Sequence, residues 1–316
     1  MSEGARFDRT ESLNARWPAS ERGHRITVRG QGFIQPDTTF FAMGSCFAVE
    51  IRKALRAKGF RVYPDYPAIT FDPEIQTAGR LPLRDNINHY DTFTIRQEIE
   101  RALCKARWPS ECFWRFDGSN PFARDKHWPE IFQDPTRRRI FGRTLGALMD
   151  LSAKIGHAIE EGLAAAQVVI LTLGLTECWR LKSGGLHAAV GPDSEDDPAG
   201  KLLQFRPTGF DENYANLKAT LDAIWSRHPE KKIVLTVSPV RLTRTWTDED
   251  VVCANTQSKA TLRAVAGQLC RELPRIIYWP SFEYASASDV YRKDGIHVRE
   301  EVVGDIVSAF LAIHSI

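Results

Sequence analysis

The stretch TFFAMGSCFAVEIRKALRAKGF, residues 39–60, decides the fold. Thr39 to Met43 is a short apolar run that stops at Gly44, and a run of that kind reads as a buried strand. From Ala48 to Lys58 the positions Ile51, Ala54 and Leu55 fall at helical spacing, and Gly59 suits the C-terminal cap. Phe60 to Tyr63 reads as a second strand. The turn between the first strand and the helix is Gly44-Ser45-Cys46, so a serine and a cysteine sit where the sheet ends.

Outward from this unit the same alternation returns beyond residue 144. A helix is expected over about 145–166, then the strand QVVILTL (167–173) and a helix over 211–227. The strand KIVLTV (232–237), a helix over 255–272, the strand RIIYW (275–279) and a helix over 299–313 complete the series. The strands are apolar throughout rather than alternating, which suits parallel strands buried on both faces. Helices between them suit right-handed crossovers. The expectation is a three-layer α/β sandwich around a parallel sheet of about five strands, with flavodoxin-like topology.

Two segments fall outside that rhythm. Residues 1–30 are polar and Arg-rich and read as a surface-lying or frayed arm. Residues 64–143 read as an irregular insertion, with one helix over 92–106 and with Trp108, Trp114 and Trp128 among many Arg and Pro residues. Such an insertion usually caps an active site or packs on a sheet edge. The expected division is an arm followed by one domain, 31–316.

Composition narrows the classes of function. The 316 residues are 43% apolar and 26% charged, ordinary for a globular chain. A formal charge of +2 argues against a polyanion binder, so a nucleic-acid partner is not expected. The first twenty residues lack a signal-peptide core, and no run approaches the roughly 20 apolar residues of a membrane span. A soluble, cytoplasmic protein is the expectation. The six cysteines never form C-x-x-C and read as free thiols in or near the core. The histidines show no ligand spacing with cysteine, and no metal is expected.

In open parallel sheets, ligands bind at the carboxyl ends of the strands. Those ends carry Gly44-Ser45-Cys46, Gly174-Leu175-Thr176-Glu177, Ser238-Pro239 and the loop that reaches Asp294-Gly295-Ile296-His297. A serine hydroxyl is a nucleophile only when a base removes its proton, and the N–H groups of a helix start can stabilise an oxyanion beside it. The bland alternative for Ser45 is a helix N-cap, the commoner fate of a serine there. Asp294 and His297, three apart in a turn, can place a carboxylate against an imidazole. A D-x-x-H alone is a frequent accident. Gly174 N–H or the Thr176 hydroxyl could serve as a second oxyanion donor, whereas Glu177 has a bland reading as a helix-start carboxylate. Cys46 is a rival nucleophile of lower weight. Arg137-Arg138-Arg139 could hold an anion, although a solvated basic loop is the plainer account.

The string FAMGSCFAVEIRKAL (41–55) resembles the GSCFA family, named for residues 44–48. TLGLTECW (172–179), LTVSPVRL (235–242), NTQSKATLR (255–263) and YWPSFEY (278–284) look like the later blocks of that family, in its order, and the resemblance runs from about 39 to 310. It implies membership of the SGNH/GDSL hydrolase superfamily, with Ser45 as nucleophile and Asp294 and His297 as its closing D-x-x-H. In the superfamily's third block Thr176 stands where an Asn is usual. The second-block glycine has no clear counterpart, and Asn86, Asn88 or Thr92 are the alternatives.

The expected function is therefore a serine-dependent esterase or deacetylase with no cofactor, acting on a small-molecule or glycan ester. One alternative is an O-acyltransferase whose basic insertion grips a carrier such as coenzyme A. Another is a non-catalytic binding module on the same fold.

Overall fold

The computed structural model describes residues 6–10, 25–77, 87–117, 130–137, 139–192, 197–286 and 290–316. Every residue of the FFAMG strand is buried, so the sheet it joins must be covered on both sides. In chain order the elements begin with β1 (Arg6–Thr10), β2 (Arg25–Arg29), β3 (Phe40–Gly44), α1 (Cys46–Ala57) and β4 (Val62–Tyr63). Next come β5 (Ile75–Thr77), α2 (Thr92–Leu103), β6 (Trp114–Asp117), β7 (Glu130–Gln133), β8 (Ile140–Gly142) and α3 (Leu145–Ala165). The chain continues with β9 (Val168–Leu173), β10 (Glu177–Leu181), β11 (His187–Ala188), β12 (Leu203–Pro207) and α4 (Phe210–Arg227). It closes with β13 (Lys232–Val237), α5 (Val251–Glu272), β14 (Ile276–Tyr278), α6 (Ser281–Ser286) and α7 (Glu300–His314).

The central sheet has the order β14-β13-β9-β3-β4, and every pairing in it is parallel. Counted along the chain, the five strands lie in the order 2-1-3-4-5, which is the doubly wound, flavodoxin-like arrangement. Alternate side chains point to opposite faces. Val169, Leu171 and Leu173 of β9 pack with Ile155 and Ile159 of α3, Leu217 and Leu221 of α4, and Leu262 and Val265 of α5. Val168 and Ile170 of the same strand pack with Phe47, Ile51 and Leu55 of α1 and with Ile306 and Phe310 of α7. Burial of each such side chain contributes roughly 1.5–3 kcal/mol. The α/β sandwich read from the sequence is the fold.

Four expectations need correction. The insertion is not merely irregular: β5, β8, β7 and β6 form a four-stranded antiparallel sheet in that order. Its strands are only three or four residues long and carry Arg, Asp and Glu, so their alternation is too brief to stand out. The arm contains β1 and β2, paired in parallel. Beyond Gly174 lies a further sheet, β11-β10-β12, so Glu177 begins a strand rather than a helix. Of the six free cysteines only Cys178 is buried, while Cys104 and Cys253 are exposed.

The basic run is also different from its sequence appearance. Arg137 is wholly buried and its guanidinium pairs with Glu98 at 2.6 Å and Asp134 at 2.8 Å. Arg101 joins the same Glu98 carboxylate at 2.7 Å. Burial alone would push the Glu98 carboxyl up, but the two arginines hold it down at about 2. Arg138, Trp128 and Asn86 lie outside the described residues. Among the described residues, no helix is long and apolar enough to cross a membrane.

Candidate active site

The turn at the end of β3 is built for a glycine. Gly44 has φ +134°, and a Cβ there would lie 2.1 Å from the Thr172 carbonyl oxygen. That close approach brings Ser45 onto the end of β9, where its N–H donates to the same carbonyl at 3.2 Å. Ser45 is the N-cap of α1: its Oγ accepts from Phe47 N–H at 3.3 Å. The hydroxyl also lies 3.2 Å from Thr172 Oγ1. The residue is 1% exposed. Its N-cap role is thus real, and its hydroxyl stands at the carboxyl end of the two central strands. Beside it the Cys46 thiol is pushed up to about 11 by burial, which leaves it protonated at neutral pH and a poor nucleophile.

Asp294 and His297 form a preassembled pair. The loop is closed at its base by the Tyr291–Val298 bridge and by a hydrogen bond from Arg292 N–H to the His297 carbonyl at 2.7 Å. Asp294 Oδ1 accepts from the N–H groups of Ile296 at 2.8 Å and His297 at 3.0 Å. Its Oδ2 lies 2.8 Å from His297 Nδ1. The Ile296 and His297 N–H groups, together with the ring, hold the Asp294 carboxyl at about 2. The ring's other nitrogen, Nε2, faces away from that carboxylate.

Two anchors fix the loop over the sheet. Arg241, just past β13, donates from its N–H to the Ile296 carbonyl at 3.3 Å and from Nη1 to the Gly295 carbonyl at 3.0 Å. Its guanidinium also stacks 3.7 Å from the centre of the Tyr291 ring. On the α1 side, Arg292 Nη2 lies 3.7 Å from Glu50 Oε2, little more than one helical turn from Ser45. The pair and the serine therefore belong to one end of the molecule. No hydrogen bond joins His297 to Ser45 among the described residues; Ser45 Oγ is engaged by Thr172 and Phe47.

The Gly174 loop is bound from both sides. Tyr90 carbonyl accepts from Gly174 N–H at 3.2 Å and from Leu175 N–H at 2.7 Å, and Thr176 N–H donates to Ser258 Oγ at 2.8 Å. Gly174 itself abuts the serine: a Cβ there would come within 2.6 Å of the Tyr90 oxygen and 3.2 Å of Ser45 Cβ. The Gly174 and Ser45 N–H groups are thus both committed to carbonyls. Glu177 accepts from Thr245 Oγ1 at 2.6 Å and Trp246 N–H at 3.2 Å, which secures the loop after β13. Asn88 is buried beside this site, and its Nδ2 donates to Tyr90 Oη at 3.3 Å. The neighbouring His89 N–H donates to the Gly44 carbonyl at 2.8 Å. Thr92 is turned elsewhere, to Asn213 Oδ1 at 2.8 Å.

Sequence reasoning passed over Lys259, whose Nζ donates to the Gly174 carbonyl at 2.8 Å and which is 1% exposed. A signal was present. Lys259 shares the buried face of α5 with Ser258, Leu262 and Ala266, so a cation stands in an apolar helical stripe. Arg241 and Tyr90 carried no such signal, since their roles are made by loops.

Comparison with known proteins adds the following. A search of curated proteins finds no match. Among solved structures, a carbohydrate esterase family 3 protein from Talaromyces cellulolyticus aligns over 86% of this chain and 94% of its own, at 11% identity and a TM-score of 0.31. An acetyl esterase bearing a serine-to-alanine substitution, with acetate ion, aligns over 86% and 93%, at 11% identity and a TM-score of 0.30. Likeness at that level is too slight to support a conclusion. The model of the GSCFA family, by contrast, matches residues 39–310, nearly the whole of the α/β domain just described, and the chain belongs to that family.

Proposed function

We propose that this chain is a serine-dependent acyl ester hydrolase of SGNH type, with Ser45 as nucleophile, His297 as base and then acid, and Asp294 orienting the ring. The observation that carries the reading is the 2.8 Å contact between Asp294 and His297 in a loop tied to the end of the sheet that holds Ser45. An aspartate on Nδ1 fixes the proton there and leaves Nε2 to accept one.

In this scheme His297 Nε2 takes the proton of Ser45 Oγ as the oxygen adds to the acyl carbon. The same proton passes to the leaving alkoxide when the ester C–O bond breaks. Water then repeats the sequence and releases the acid. Ser45 must turn from its N-cap geometry towards His297, and catalytic hydrogen bonds often form only once substrate is bound. The Gly174 and Ser45 N–H groups are bonded to the Tyr90 and Thr172 carbonyls, so in this scheme Thr176 and Asn88 are the remaining candidates to serve the oxyanion, Asn88 by releasing Nδ2 from Tyr90 Oη.

The acyltransferase reading relied on a basic insertion to hold a carrier. Arg101 and Arg137 are turned inward onto Glu98, which removes two of those cations from a carrier site. The test is turnover of p-nitrophenyl acetate by the parent and by Ser45→Ala, with fluorophosphonate labelling of each. Loss of turnover and of label in the variant is expected, typically by several orders of magnitude. Equal rates in the two proteins, or a parent that neither turns over nor takes label, would dispose of the hydrolase.

A further inference from the structure

The Gly174 loop touches Ser45, and besides the Tyr90 carbonyl what fixes it comes from a helix with no part in the triad. Consecutive residues of α5 hold it: Ser258 Oγ accepts from Thr176 N–H at 2.8 Å, and Lys259 Nζ donates to the Gly174 carbonyl at 2.8 Å. Nζ makes no hydrogen bond to Ser45 Oγ, so it is placed to orient rather than to take the serine proton. A lysine would rarely be buried merely to hold one carbonyl, since a serine or an amide would do so without the cost of a desolvated charge.

Resting on the hydrolase reading above, we propose that Lys259 is a positioning residue of this site. It locks Gly174 against Ser45 and, while protonated, brings a positive charge to within one peptide of the place where the acyl oxygen becomes negative. The placement compensates for the backbone. With the Gly174 and Ser45 N–H groups committed to the Tyr90 and Thr172 carbonyls, a fixed cation behind the Gly174 peptide adds a favourable field for the developing negative charge.

The groups around the amine are few. On α1 it faces the Cys46 thiol, with Glu50 beyond; from the segment before α2 the Tyr90 phenol faces the same thiol. Among the described residues no carboxylate lies at ion-pair distance from Nζ. Burial therefore brings the Lys259 ammonium down from the ordinary 10.5 to about 7, with the Cys46 thiol opposing this. A base that must be neutral and a cation that must be charged give a two-limbed pH profile. The alkaline limb, near neutrality, belongs to Lys259.

The experiment is kcat against pH for the parent, Lys259→Met and Lys259→Gln on p-nitrophenyl acetate, with fluorophosphonate labelling of Ser45 alongside. The expected result is an alkaline limb in the parent that vanishes in both variants. kcat should fall about 10- to 100-fold in Lys259→Met and less in Lys259→Gln, which keeps a donor for Gly174, with KM changed less than about twofold. A structural residue would not move the limb. An active parent without an alkaline limb overturns the proposal even if neither variant folds, and so does a variant that keeps the limb. A parent that neither turns over nor labels removes the hydrolase reading and this proposal with it.

Discussion

Replacing Lys259 by methionine should change stability with a sign that depends on pH. Methionine keeps an unbranched stem of similar length and removes the amine. In the folded chain the amine loses its proton at about 7, against 10.5 when exposed, because burial disfavours its charge. Between those values the unfolded state binds more protons than the folded one, so stability rises with pH across that window. Below the window the folded parent bears the full penalty of a buried charge. At about 1.4 kcal/mol per pH unit the penalty is on the order of 5 kcal/mol. It fades towards zero as pH approaches 10.5. Methionine removes it, but leaves the Gly174 carbonyl without its Nζ donor, at a cost of about 1–3 kcal/mol that varies little with pH. The variant should thus be about 2–4 kcal/mol more stable than the parent near pH 6, and less stable by about 1–2 kcal/mol near pH 10. Urea denaturation at those two values and one between measures the difference without any substrate. A difference that stays flat across the range refutes the buried-cation account.

Three further outcomes follow from other contacts. Gly44→Ala sets a methyl group against the Thr172 carbonyl at a left-handed φ, and should cost about 3 kcal/mol or more in urea denaturation. Arg241→Ala removes an exposed side chain that clamps the Asp294–His297 loop; it should slow both turnover and fluorophosphonate labelling about tenfold while Tm moves by only about 1–2 °C, and an unchanged labelling rate would count against the clamp. Glu98→Gln leaves Arg101 and Arg137 buried without their shared anion, so calorimetry should register a loss of about 3–5 kcal/mol.

The layers of this fold were legible because they depend on long one-dimensional patterns. Lys232–Val237 and Val168–Leu173 are buried almost throughout and read as apolar runs, and α3 and α5 are long enough for their period to show. The small sheets were not, since WRFD and EIFQ reach only four residues and bury one and two of them respectively. Charge misled where burial was at stake. Arg137 sits in a run of three arginines that looks wet, and only the coordinates bring Glu98, 39 residues earlier, against it. Within the site, Ser45 and the Asp294–His297 turn could be named from motif and spacing. The state of the backbone donors could not, because Tyr90 reaches Gly174 and Leu175 through a main-chain carbonyl, which no residue type encodes.

The Glu98 cluster also bears on how the chain comes apart. Its members sit on α2 and on the link between β7 and β8, and Ser152 of α3 accepts from both arginines, at 3.4 Å to Arg101 and 3.2 Å to Arg137. Lifting the small antiparallel sheet away would pull Arg137 from Glu98 and from Ser152, breaking buried charge-assisted contacts and leaving Glu98 to Arg101 alone. Partial opening is therefore uphill from its first step, and the inserted sheet and the central one should melt in a single transition. A shortened chain lacking the β7–β8 link would lose Asp134 and Arg137 together and would hold Glu98 by Arg101 alone.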